Sequence, residues 1–206
     1  GQLQLALETV RLLTKHRAHS DAAGKSIARS LAIDFIRSAH DTVQIQRAWD
    51  ALDSAEQLVP EVAFEAAERL LAHGGAADIS RQWLLPIWDA MLQKYEALTL
   101  AQRVRLARVL ERGFAAPDGA PDAAWLSRIE SAQMGNPRDA VLQYLAGVVC
   151  MRLSLWGKSQ QLFKQSLAIL EDSELARDTW LALAQMAEQR HDAVAAAQAY
   201  REAAKK

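Results

Sequence analysis

The chain has 206 residues, half of them hydrophobic and 24% charged, so it can bury a sizeable core and is not a disordered sequence. Its 24 basic and 25 acidic residues leave a net charge of −1, which excludes the broad positive field of a nucleic-acid or anionic-membrane binder. A single cysteine excludes an intrachain disulfide framework and a zinc site made of several thiolates.

Alanine makes up about a fifth of the chain and leucine comes second, while Val, Ile, Gly and Pro are scarce. Ala and Leu lose little on entering a helix and strands favour β-branched residues, so the composition predicts an all-α protein. The longest apolar stretch without a charge, Val141 to Met151, includes Gln143 and Tyr144. A bilayer crossing needs about 20 apolar residues. Leu3 to Val10 is interrupted by Gln4 and Glu8 and does not read as a signal peptide. The chain begins Gly-Gln-Leu, without Met, and enters a helical pattern at once. We expect a piece of a longer protein, with any membrane anchor upstream.

Periodicity predicts eleven helices, at roughly 2–18, 24–39, 42–57, 60–74, 78–94, 99–115, 121–134, 137–154, 157–171, 174–190 and 192–205. His16 and His19 close the first, where Lys15 and Arg17 mark a solvated end more than a metal or haem site. Ala23-Gly24-Lys25-Ser26 matches the end of a phosphate-binding loop, but His19 stands where the motif needs Gly and no strand precedes it. It reads as a helix start with Gly24 in the turn. Asp41 with Gln44, and Thr99 with Gln102, have the spacing of capping boxes. Pro60, Pro121 and Pro137 suit a first helical turn, and Asn136 is placed to cap. Gly74-Gly75 and Gly157 read as interhelix turns. Pro86 predicts a kink or a late helix start. The widest break, Ala115 to Pro121, reads as a loop within a continuous architecture.

An internal repeat organises the second two thirds. Helix starts at Ala63, Arg103, Gln143 and Trp180 are followed three residues on by Ala66, Leu106, Ala146 and Leu183. Four residues on stand Ala67, Ala107, Gly147 and Ala184, and seven on Leu70, Leu110, Cys150 and Ala187. A small residue at a fixed place lets a second helix approach closely. Ser159, Phe163 and Ser166 match Ala196, Tyr200 and Ala203, with Ile79, Trp83 and Pro86 a looser parallel. Small–aromatic–small at these spacings is one helix face, the aromatic acting as knob. The pattern resembles the tetratricopeptide repeat. The expected fold is an α-solenoid of antiparallel helix pairs, with armadillo-type arrays as the alternative. Repeats are expected at about 60–98, 99–136, 137–173 and 174–206, the last two clearest, with 1–59 as helical packing material.

No residue set carries catalytic, metal or cofactor chemistry, and we expect no enzyme. Cys150 occupies a position filled elsewhere by Leu70, Leu110 and Ala187, so it reads as a buried small hydrophobe; axial haem ligation by Cys150 or Met151 is the competing reading. His40, His73 and His191 fall at helix ends. Glu171-Asp172 and Glu61/Glu65 read as solvated or dipole-placed carboxylates. Most of the six Trp residues should be core knobs, and one of Trp83 and Trp88 should be less buried than the other.

Gly147 to Leu170, with Leu155-Trp156-Gly157-Lys158 before the second helix, resembles the C-terminal repeat region of the HemY-type protohaem IX biogenesis proteins of Gram-negative bacteria. Pro60-Glu61-Val62-Ala63 through Gly74, and Gln143 to Gly147, are similar in placement. The resemblance implies a scaffold in late haem synthesis whose partners are other proteins, haem-synthesis enzymes among them, and an upstream inner-membrane anchor with this part on the cytoplasmic face. It carries over no catalytic residue. A haem or porphyrin carrier is the alternative function. In tetratricopeptide-like units the first helix of each pair lines the concave face, so Arg103, Arg108, Gln143, Arg152, Arg177 and Gln185 are the expected partner-binding residues. Their charge favours an acidic segment of a partner.

Overall fold

The computed structural model describes residues 1–15 and 21–206; His16 and His19 lie outside the described residues. Among the described residues the structure is helical, with no strand. It forms two compact units, Gly1–Gly119 and Ala120–Lys206. No helix among the described residues is long and apolar enough to cross a membrane.

The first unit holds α1 (Gln2–Lys15), α2 (Asp21–Arg37), α3 (Thr42–Asp50), α4 (Ser54–Gln57), α5 (Pro60–Ala72), α6 (Ala77–Gln93), a 3-10 turn at Tyr95–Ala97 and α7 (Leu100–Ala115). The centre is α5, which packs against α2, α3, α4, α6 and α7. Its Val62, Ala63, Phe64, Ala66, Ala67 and Leu70 are fully buried. The apolar residues of 1–59 and of 60–119 close on one helix, and both segments fold into one unit. The unit boundary falls in the Ala115 to Pro121 loop, which we read as internal to a continuous array.

Local chemistry explains most of the boundaries. Pro60 is the first residue of α5, where its missing N–H leaves no carbonyl unpaired. The single helix expected at 42–57 is two: Asp53 accepts a hydrogen bond from the Glu56 amide while the Glu56 carboxylate accepts one from Asp53 N–H, and this capping box restarts the chain as α4. Thr99 and Gln102 form the expected box on α7. α6 starts at Ala77 and runs through Pro86, whose ring is exposed while Leu84, Ile87 and Trp88 are buried. Trp88 is the buried member of its pair, and the half-buried Trp83 stacks on Trp49 with centroids 4.8 Å apart.

The second unit holds α8 (Ala123–Gly135), α9 (Ala140–Arg152), α10 (Trp156–Leu167), α11 (Ser173–Gln189) and α12 (Ala193–Ala203). Consecutive helices pack on one another, most densely in the pairs α9–α10 and α11–α12. Asp122 and Asp139, not the prolines, start α8 and α9: Asp122 accepts from the Trp125 amide at 2.7 Å, and Asp139 from the Val141 and Leu142 amides at 2.9 and 3.0 Å. Asn136 closes α8 and does not open α9.

The twelve residues at repeat positions three, four and seven are all buried. The α9–α10 pair shows why the fourth is small. A Cβ on Gly147 would lie 2.7 Å from two ring carbons of Phe163. The flanking Ser159 and Ser166 hydroxyls donate to the backbone oxygens of Gly147 and Ala140 at 2.8 and 2.7 Å. Knob and holes therefore hold two backbones at close range. In the α11–α12 pair Ala184, Ala196 and Ala203 are buried, but Tyr200 is 39% exposed and its hydroxyl bonds Glu188.

The repeat extends to the turns. After α5, α9 and α11 one residue takes a left-handed conformation: Gly74 (φ 73°), Ser154 (φ 59°) and His191 (φ 60°). In each turn the next amide donates to the carbonyl at repeat position seven: Gly75 to Leu70 and Leu155 to Cys150 at 2.8 Å, Asp192 to Ala187 at 2.9 Å. This is the Schellman closure. Gly157, read as a turn residue, is instead in the first turn of α10. L-residues are strained at positive φ by about 1–2 kcal/mol, against an entropic cost of Gly of about 0.4–1 kcal/mol. Ser154→Gly and His191→Gly should each stabilise by about 0.5 kcal/mol. Melting temperatures that fall in both variants would contradict that.

Candidate functional site

The six expected partner-binding residues divide between the units, Arg103 and Arg108 in the first and the other four in the second. Gln143 is a correction. It is only 5% exposed because α9 is flanked by α8 and α10, which bury every residue from Val141 to Cys150. Its amide turns back to donate to the Pro137 carbonyl. Arg103 and Arg108 are half-buried and engaged at home, Arg103 donating to Leu98 O at 3.4 Å and Arg108 lying 3.6 Å from Glu111. Arg152, Arg177 and Gln185 are exposed, Arg177 beside Asp178 at 3.5 Å.

The surface the charge pattern missed is apolar. Leu153, Leu155 and Trp156, at the α9–α10 turn next to Arg152, are 37%, 45% and 40% exposed. The Schellman closure projects this Leu-Ser-Leu-Trp tip outward, and Lys158 beyond it bridges to Glu130 at 2.6 Å. Trp156 is the exposed tryptophan at this tip, and Trp is enriched at binding surfaces.

The first unit carries an ionic network and a cavity. Arg37 holds Glu65 through two hydrogen bonds of 2.9 and 3.1 Å, and Arg105 holds Glu68 at 2.7 and 3.1 Å. Burial alone would raise the Glu65 carboxyl, but the Arg37 hydrogen bond and the charges of Arg37, Arg105 and Arg69 outweigh it and hold it below its ordinary value. A carboxyl lowered in the folded state binds its proton more readily when unfolded. Its contribution is therefore whole above the ordinary carboxylate range and is lost as pH falls through the lowered folded value. Glu65→Gln should flatten that acid limb of the stability profile, measured by denaturant titration at stepped pH; an unchanged limb would remove Glu65 from it.

The cavity, of about 410 Å³, lies among α1, α2, α4 and the start of α5. One wall is the Arg11–Glu56 pair; Glu56 is 6% exposed. The Gly24-Lys25 segment lines it, but as part of the helix α2, so no phosphate-cradling loop exists there. Reading residues 1–59 as mere packing material hid this site; the Asp53/Glu56 capping box was the legible sign of a turn there.

No family model, no curated protein and no solved structure matches this chain. Cys150 is fully buried and burial pushes its thiol up, the surroundings of a small hydrophobe. Among the described residues no cluster of His, Cys, Asp and Glu could hold a metal ion.

Proposed function

We propose that the chain is a non-catalytic protein-interaction scaffold of tetratricopeptide-like helical hairpins, of the HemY type, serving late haem synthesis. The observation that carries this reading is the α9–α10 hairpin, where Gly147 lies under Phe163, Ser159 and Ser166 bond the partner backbone, and the turn is closed as at Gly74 and His191. Hairpins of this kind bury one face on their neighbours and leave another along the array for binding. The binding surface is the Leu153–Trp156 tip with Arg152, with Arg177 and Gln185 as further exposed positions on α11, and it takes a partner segment that is both apolar and acidic. By the resemblance, an upstream segment holds the parent protein at the inner membrane and this part faces the cytoplasm.

Immobilised protein should capture porphyrin-handling enzymes from a bacterial extract. The triple variant Arg152→Glu, Arg177→Glu, Trp156→Ala should lose capture at least tenfold without melting earlier. Undiminished capture by the folded variant moves the surface elsewhere. Titration with haem separates the carrier function: a tight stoichiometric Soret shift would replace the scaffold reading.

A further inference from the structure

The hairpin tip lies in a segment whose charges are sharply divided. From Ala140 to Leu170 the chain carries three cations, Arg152, Lys158 and Lys164, and no carboxylate. Lys158 is held by Glu130, while Arg152 is exposed and its side chain has no partner among the described residues. Glu171, Asp172 and Glu174 follow at once, at the corner where α10 turns into α11. Asp172 caps α11 through the Leu175 amide at 2.7 Å. Glu171 and Glu174 are exposed, and among the described residues their side chains have no partner. With Asp139 and Asp178, five carboxylates outnumber the three cations near this end, Arg138, Lys164 and Arg177. The corner is also apolar: Ile169 is 48% exposed, and Met134, in the last turn of α8, is 76% exposed.

α10 has 12 residues and is about 18 Å long, so the basic apolar tip and the acidic apolar corner lie at its opposite ends. The chain therefore carries a segment of the kind its own tip takes. We infer that the second unit binds a second copy of this chain head to tail, the Leu153–Trp156 tip and Arg152 of one copy seated on Ile169, Glu171 and Glu174 of the next. The inference rests on the tip reading of the proposed function and adds an occupant for the same surface. Apolar side chains make the contact, and opposite charges at its rim set the register. Two different patches at opposite ends of one helix form a heterologous contact, which extends and does not close at two chains. Patches this small belong to the weak, transient class of interfaces. Stacking covers the tip, so it competes with capture of a partner segment.

Sedimentation velocity of the full chain in low salt, from micromolar to about millimolar concentration, tests the contact. The weight-average mass should rise with concentration and pass two chains. Arg152→Glu, and separately Glu171→Arg with Glu174→Arg, should each weaken association roughly fivefold or more, because like charges then face each other. An equimolar mixture of these two variants should associate as the parent chain does, since each tip then finds a corner of opposite charge. That rescue excludes a folding defect. A folded parent chain that stays monomeric at about millimolar concentration overturns the inference and leaves the tip reading to the capture assay, which reports on the tip alone. A mass that levels at two chains, variants that associate like the parent, or a mixture that stays monomeric overturns it as well.

Discussion

Gly147→Leu is expected to destabilise the second unit by about 3 kcal/mol, the upper end of overpacking costs. For a unit of this size that is a fall of roughly 10–20 °C in melting temperature. The reason is steric and local. The first carbon added at residue 147 already meets the Phe163 ring at 2.7 Å, and Phe163 is fully buried with Tyr144 at 5.9 Å. The ring therefore has nowhere to retreat. The two backbones cannot separate either without breaking the Ser159 and Ser166 hydrogen bonds. Gly147→Ala should cost less than Leu but measurably more than an exposed Ala. A Leu variant that melts within a degree of the parent would dissolve the packing argument at its centre.

A loss of similar size is expected from Arg11→Met. The Glu56 side chain is 8% exposed, and Arg11 donates to both of its oxygens, with a further bond of 3.3 Å to Ala51 O. Methionine keeps much of the apolar stem and removes the charge. It leaves a nearly buried carboxylate with only the Asp53 N–H at 2.9 Å. Stranding a buried charge costs about 3–5 kcal/mol, and the partial exposure of Arg11 places this case near the lower figure. Adding Glu56→Gln to Arg11→Met should then recover part of the loss, because a neutral amide tolerates the site. Denaturant unfolding of the three variants decides it: a double variant no more stable than the single one means that the stem of Arg11, not its charge, carries the effect.

What the sequence made legible was whatever depends on near neighbours. Helix content, the Thr99/Gln102 box, the first turn at Pro60 and the small residue at 147 each follow from a few adjacent side chains. The missed features depend on tertiary coverage. Gln143 is polar at a repeat position that the tetratricopeptide analogy treats as accessible, yet α8 and α10 both cover it. Arg103 and Arg108 look solvated in sequence but meet Leu98 and Glu111. The boundary at 119 was obscured because the same helical grammar runs through both units, while the burial that joins α2 to α5 spans distant residues. The expected helix ranges place the turns after 154 and 190, but no glycine marks them, their left-handed residues being Ser154 and His191.

The uneven packing of the second unit sets how it comes apart. Helices are dense within α9–α10 and within α11–α12, but α10 and α11 meet more sparsely, with Arg190 donating to Gln160 at 2.7 Å and the Ser159 hydroxyl 3.8 Å from the Met186 sulfur. Such a seam divides a cooperative domain into separable foldons. Amide protons of α11 and α12 should exchange with solvent together and ahead of those in α9, whose residues from Val141 to Cys150 are all buried. Ordering along the chain would also begin in α9–α10, since the Ser159 and Ser166 hydrogen bonds that close that hairpin span 12 and 26 residues and little loop entropy opposes them.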